Sequence, residues 1–207
     1  PIPKIDPILP SPQQYYYRNK MEFSFSDSRW LTDNEIRSDQ IIENKNALGF
    51  HLPGMWQKIL DIKNCYLQKE PSNSIRLAIK KFADEHGLSF FNVYKHQGLL
   101  RTLMIRTTSL GQIMVLIQFF EDQPEKRQLL LDHIRQKFPQ ITSLLFTINK
   151  KQNDTIYDQT IVCHSGKAFI VEEMNGLKFK IDAKSFYQTN SAQACKLYET
   201  VKKFAAL

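Results

Sequence analysis

Glycine is scarce in this chain, 7 of 207 residues, and none of it is arranged as G-x-G-x-x-G or as a P-loop. A nucleotide cradled on a glycine-rich turn is therefore excluded from these residues. Cysteine is scarcer still: Cys65, Cys163 and Cys195 are odd in number, widely spaced and free of any C-x-x-C pair. That pattern excludes a disulfide framework and a cysteine-built zinc site. The histidines His51, His86, His96, His133 and His164 are scattered without metal-ligand spacing. No apolar run approaches the roughly 18 residues needed to cross a bilayer. Residues 1–7 lack the basic-then-apolar layout of a signal peptide. The expectation is a cytoplasmic monomer with no membrane partner.

What is present points elsewhere. Hydrophobic residues make up 42%, with 14 phenylalanines, enough for a sizeable core. Lys plus Arg number 28 against 21 acidic residues, a net charge of +7 and a pI near 9.2. A positive excess suits a polyanion, because basic groups near phosphates release condensed counterions. Pro1, Pro3, Pro7, Pro10 and Pro12 mark residues 1–14 as an extended linker.

Beyond the linker, Tyr17 to Ser26 alternates: Tyr17, Asn19, Met21, Phe23 and Phe25 against Arg18, Lys20, Glu22, Ser24 and Ser26. Period two predicts a half-buried strand. Ala47 to Gly54 predicts a short strand running into a turn. Ser74 to His86 predicts a helix on the stripe Ile75, Ala78, Ile79, Phe82 and Ala83, with Ser72 to Ser74 as caps and Gly87 as its stop. Strands are expected over 99–107, 112–120 and 141–149, with a helix over 124–138 before Pro139. Asn175-Gly176 supplies the positive φ values of a type I′ turn, which predicts a hairpin over 168–182. Leu177, Phe179 and Ile181 should face the core. A helix capped by Asn190 or Ser191 should follow, with the stripe Ala194, Leu197, Val201 and Phe204. The fold class is α+β, largely antiparallel with interspersed helices.

Four segments, in order, carry a resemblance: Tyr17-Arg18-Asn19-Lys20-Met21-Glu22-Phe23-Ser24-Phe25; Leu48-Gly49-Phe50-His51 with Gly54, then Asn64-Cys65-Tyr66-Leu67-Gln68; Leu100-Arg101 through Arg106, leading into the apolar strand around Met114-Val115; and Gly176-Leu177-Lys178-Phe179 with Ser185-Phe186-Tyr187-Gln188-Thr189-Asn190. Over roughly residues 15–205 the chain resembles the S-adenosylmethionine-dependent RNA uracil-5-methyltransferases of ribosomal and transfer RNA. The resemblance implies a central RNA-binding α+β domain over 15–182, then the start of a Rossmann-like methyltransferase domain over 183–207. It also implies a cysteine thiolate that adds to carbon 6 of uracil, so that carbon 5 can take the methyl group. A base then removes the carbon 5 proton and the thiolate leaves. The family's RNA-binding barrel is expected before Pro1. The glycine-rich cofactor loop, nucleophile and catalytic carboxylate are expected after Leu207. No catalytic residue is expected within the chain, and the chain alone is expected to be inactive.

By the same resemblance, Gln188 contacts the amino-acid end of S-adenosylmethionine; its amide offers a donor and an acceptor to a zwitterion. An ordinary polar junction residue is the alternative. Cys65 matches the fourth ligand of a [4Fe–4S] cluster, whose other three thiolates would lie upstream; a buried free thiol is the alternative. Tyr17, Arg18 and Lys20 form a basic strand face with an aromatic, suited to phosphates and unpaired bases, or else a solvated outer face. At least one of Arg101 and Arg106 is structural. Glu172 and Glu173 point to opposite sides of a strand and make no carboxylate pair. The expected substrate is 23S rRNA in preference to tRNA. A non-catalytic RNA-binding module joined to another activity is the competing reading, and a protein-interaction domain the third.

Overall fold

Met21, Phe23 and Phe25 are buried along β1 (Lys20–Ser26) and Glu22 is exposed, as period two requires. The structure, a computed structural model, describes residues 5–38 and 41–206. β1 begins later than the predicted Tyr17. The Tyr16 and Arg18 amides instead donate to the carbonyls of Tyr66 (2.7 Å) and Leu67 (2.8 Å), so this stretch is satisfied by the 64–68 segment. Next come the short helix α1 (Asp33–Arg37) and the hairpin β2 (Ala47–Leu52)–β3 (Met55–Leu60), of which only the first arm was expected. Gly49 explains part of its motif: a Cβ there would meet the Leu60 carbonyl oxygen at 1.9 Å.

Helix α2 (Ser72–Glu85) starts two residues before the predicted Ser74. Its N-cap, Pro71, supplies no side-chain cap, and the Glu70 carboxylate accepts from the Ser74 amide (3.1 Å). Ser72 donates to Gln68 Oε1 (2.6 Å) instead. The predicted β4 (Leu100–Thr107), β5 (Ile113–Phe119), α3 (Pro124–Lys137) and β6 (Ser143–Ile148) all form. β7 (Val162–Gly166) was not anticipated, because its residues carry no apolar alternation. The sheet runs β3-β2-β1-β4-β5-β6-β7. β5 and β6 pair in parallel across the α3 connection; every other neighbouring pair is antiparallel.

The sheet has two unlike faces. On one, Phe23, Leu103, Ile105, Val115 and Ile117 pack beneath Ile75, Ile79 and Phe82 of α2 and Leu130 and Ile134 of α3. On the other, Met104, Met114, Leu116 and Leu145 meet Ile170 and Ile181 of the hairpin β8 (Phe169–Met174)–β9 (Leu177–Asp182). The predicted turn is there, with Asn175 at φ 51° and Gly176 at φ 77°. The predicted core face is not: Ile181 is buried, but Leu177 is 63% exposed and Phe179 39%. Only the root of the hairpin joins the second core; toward the tip the β8 arm stays covered, with Glu172 and Met174 buried, while the β9 arm is open.

The last helix, α4 (Ser191–Phe204), is capped by Asn190, whose Oδ1 accepts from the Gln193 amide (3.0 Å). Of its apolar stripe only Ala194 is buried; Leu197, Val201 and Phe204 are exposed. The expected linker is not free of the fold, since Gln193 Nε2 donates to the Leu9 carbonyl (3.1 Å) and Asn190 Nδ2 to Ser11 Oγ (3.3 Å). Residues 1–4 of that linker, and Leu207 of the last predicted segment, lie outside the described residues. Among the described residues no helix is long and apolar enough to cross a membrane.

Candidate functional site

The second sheet face carries polar side chains where the hairpin does not cover it. Alternation puts Lys20, Glu22 and Ser24 of β1 there, and antiparallel register sets them opposite Arg106, Met104 and Thr102 of β4. A recess of about 210 Å³ opens over them, walled by residues 154–157 and by Ala183 and Lys184. Lys20 Nζ pairs with Glu22 Oε1 at 2.6 Å. Arg106 is 6% exposed and donates through Nη2 to the Ser185 carbonyl (2.7 Å). Its Nε has no partner among the described residues. Burial pulls the Arg106 pKa below its usual value, opposed by the charges of Glu22 and Asp182. Lys20, Arg106 and Lys184 outnumber Glu22 and Asp154 in the lining by one charge, and the unpartnered Arg106 donor adds to the preference for an anion.

A second recess, about 190 Å³, shares Thr102 and Asp154 with the first and continues past Ser24 and Ser26 to His51 and Trp56. The two make one groove across the sheet. Arg101 reaches it with both Nη atoms engaged, donating to the carbonyls of Asn149 (2.9 Å), Lys151 (2.6 Å) and Gln152 (3.0 Å). Arg101 is structural; Arg106 is anchored yet still has a donor to offer.

Beside the first recess runs the junction from β9 to α4. Asn19 holds it: its amide N–H donates to the Thr189 carbonyl (2.7 Å), and its Nδ2 to the Gln188 carbonyl (2.8 Å) and Ser191 Oγ (2.8 Å). The backbone of Gln188 is therefore fixed, while its half-buried side-chain amide has no hydrogen-bond partner among the described residues. Tyr187 packs toward Phe179, and burial together with Glu172 pushes its pKa up to about 12. Glu172 is buried and accepts from the Ser109 and Glu173 amides (2.9 and 3.0 Å), whereas Glu173 is exposed. Phe186, part of the fourth resembling segment, is 81% exposed.

The structure separates the three residues of the predicted basic face. Lys20 faces the groove. Tyr17 and Arg18 precede β1 and line a different shallow recess with Glu172 and Ser191, and Arg18 Nε donates back to the Lys20 carbonyl (3.4 Å). Cys65 lies in the main core at 4% exposure, its backbone bracketed by Asn73 at 2.8 and 3.1 Å. Among the described residues no three His, Cys, Asp or Glu side chains form a metal-binding group. Cys65 is here a buried thiol packed among apolar side chains, and by itself it cannot hold an iron–sulfur cluster, which needs four thiolates.

No family model matches the chain. Uncharacterized RNA methyltransferases do. That of Porphyromonas gingivalis is 50% identical over all of this chain and 45% of its own length. That of Bacteroides thetaiotaomicron is 48% identical, again over all of this chain and 46% of its own. The chain belongs to this RNA methyltransferase family. It spans about half the length of the curated relatives it matches. Among solved structures, the tRNA (uracil-54, C5)-methyltransferase of Pyrococcus abyssi, crystallised with S-adenosyl-L-homocysteine, superposes with a TM-score of 0.69 at 26% identity. The match covers 94% of this chain and 43% of that one.

Within the family chain the resembling segments have distinct structural duties. Asn64 to Gln68 is a seam: it accepts from Tyr16 and Arg18, and Gln68 Nε2 donates to the Ile105 carbonyl (3.1 Å). Tyr17 to Lys20 runs from that seam through the Asn19 clamp into the groove. Ser185 to Asn190 is the clamped junction itself. Each segment touches another, which explains why they occur together.

Proposed function

We propose that this chain is the RNA-holding part, and the edge of the cofactor-binding part, of an enzyme that methylates carbon 5 of a uracil in RNA. The observation that carries the reading is the junction. Asn19 and Arg106 fix residues 185–191 against a cationic groove while leaving the Gln188 amide unspent. In this reading the groove holds RNA through Lys20, Arg106 and Lys184, and Gln188 meets the amino-acid end of S-adenosylmethionine, which supplies the methyl group. Residues 15–182 act as the RNA-binding domain, and 183–207 open the cofactor domain. The exposed stripe of α4 supports that division, because Leu197, Val201 and Phe204 form a face suited to further packing.

The RNA is proposed to be 23S rRNA, and tRNA is assayed beside it because the solved neighbour acts on tRNA. In the full-length protein, Gln188→Ala should weaken S-adenosylmethionine binding by about 1–3 kcal/mol, the cost of an unsatisfied partner in a closed site. RNA affinity without cofactor and the thermal melt should match the parent. The 207-residue chain alone, as control, should leave no labelled methyl group in uracil. Parent-like cofactor affinity in a folded variant would reduce Gln188 to a junction residue. RNA binding with no methyl transfer by the full-length protein would favour the non-catalytic module.

A further inference from the structure

Two large aromatics stand out of the surface at the far end of the groove. Trp56 of the edge strand β3 is 58% exposed, and Tyr94 of the 92–97 loop is 66% exposed. Their ring centroids are 5.9 Å apart at an interplanar angle of 56°. Neither ring contributes to either buried core. Exposed aromatics that serve packing are normally tucked down; an adjacent exposed pair marks a binding surface.

Both rings are carried on backbone that is held in place. His51, an exposed residue of the β2 arm, ties the hairpin together: its Nδ1 hydrogen-bonds the Trp56 carbonyl, and Ser24 Oγ meets its Nε2 at 3.0 Å. A carbonyl only accepts, so Nδ1 is the donor to Trp56. On the other side, Asn92 Oδ1 accepts from the amides of Tyr94 (3.1 Å) and Lys95 (2.8 Å), and Asn92 Nδ2 donates to Asp27 Oδ2 (2.8 Å). Rings presented on ordered backbone bind at a low entropy cost.

We infer that Trp56 and Tyr94 form a base-stacking platform for unpaired nucleotides of the RNA that occupies the groove. The inference rests on the RNA-binding reading above. Three observations select this occupant. Trp56 lines the second recess, which shares Thr102 and Asp154 with the first, so one strand can lie in both and reach the pair. The chain is basic, at +7. The platform offers aromatic faces with few charges, which suits bases, while Lys20, Arg106 and Lys184 at the other end suit phosphates. Two to three strand spacings separate Trp56 from Lys20 and Arg106, roughly 10–15 Å, a span of about two extended nucleotides. The platform would grip sequence flanking the target and favour single-stranded over duplex RNA.

The chain contains two tryptophans, so W30F leaves Trp56 as the sole indole reporter. Titrating W30F with unstructured oligouridine should quench its emission. Polyphosphate, which has charge but no bases, should not. W56A should weaken oligouridine binding about tenfold with an unchanged salt slope, since stacking but no phosphate contact is lost. W56F should recover most of the affinity, and Y94A should show a smaller loss. A thermal melt of W56A matching the parent, expected for an exposed side chain, excludes unfolding. Salt-dependent oligouridine binding by the parent, with no quenching and parent-like W56A affinity, overturns the platform and leaves the RNA reading standing. A parent that binds no oligouridine removes both. Emission that changes with protein concentration alone would assign the pair to a contact between copies of the chain and overturn the platform.

Discussion

Arg76, Arg101 and Arg106 are three buried guanidiniums, and in each burial pulls the pKa below its usual value. They do different work. Arg76 is fully buried, donating to the carbonyls of Leu48 (3.2 Å), Ile62 (2.5 Å) and Lys63 (2.9 Å), with Phe23 beneath it. Arg76→Met should cost about 2–4 kcal/mol in urea unfolding, because three buried carbonyls lose a charged donor that methionine cannot replace. A loss below about 1 kcal/mol would mean that water enters and satisfies them. None of this was legible in the sequence. Arg76 sits next to Ile75 on the predicted helix, where an arginine reads as a solvated flank, and its carbonyl partners lie in segments far along the chain. Gln188 was legible as a junction residue, but the Asn19 clamp beneath it was not.

Elements that bury a complete periodic face were readable: β1, β4, β5 and α2 are where alternation and the helical stripe put them. Elements held by end chemistry or edge pairing were not. β7 pairs with β6 through its backbone and has no apolar pattern to announce it. α1 has no buried residue and is held by a capping box: the Glu35 amide donates to Thr32 Oγ1, and the Glu35 carboxylate accepts from the Thr32 amide at 2.8 Å and from Arg29 at 2.8 Å. Chiefly the Thr32 amide, then Arg29, lowers the Glu35 pKa to about 2. Its folded value lies below the ordinary 4.5, so the stabilisation is complete above pH 4.5 and disappears as pH falls toward 2. The Glu35 carboxyl carbon, followed by NMR, should titrate near 2. A midpoint at the ordinary value would show that the box does not form in solution. Glu35→Gln should remove the acid step.

At the scale of the whole molecule, one sheet divides the labour: α2 and α3 seal one face, and the other is shared between a small second core and the groove. That division makes Lys20 the accessible member of the predicted basic segment. Lys20→Ala should weaken RNA binding and lower the log–log salt slope by about 0.7–0.9, one phosphate contact on a single strand or duplex. Arg18→Ala should have a smaller effect, since its guanidinium turns back onto the Lys20 carbonyl. If both variants bind like the parent at every salt concentration, the groove does not carry the RNA backbone.

The sequence by itself determined the fold class, the strand and helix positions with complete apolar faces, the Asn175-Gly176 turn, the Asn190 cap and the family. These depend on local periodicity, turn chemistry and motif order, which are written in consecutive residues. Only the tertiary structure decided which polar residues meet. Pairing β1 with β4 sets Lys20 opposite Arg106, and folding the junction back brings Asn19 under Gln188, contacts across 86 and 169 positions of chain. It also decided burial at the chain's later elements: Leu177, Phe179, Val201 and Phe204 keep the expected periodicity yet stay exposed, because periodicity names a face while burial needs a surface opposite it.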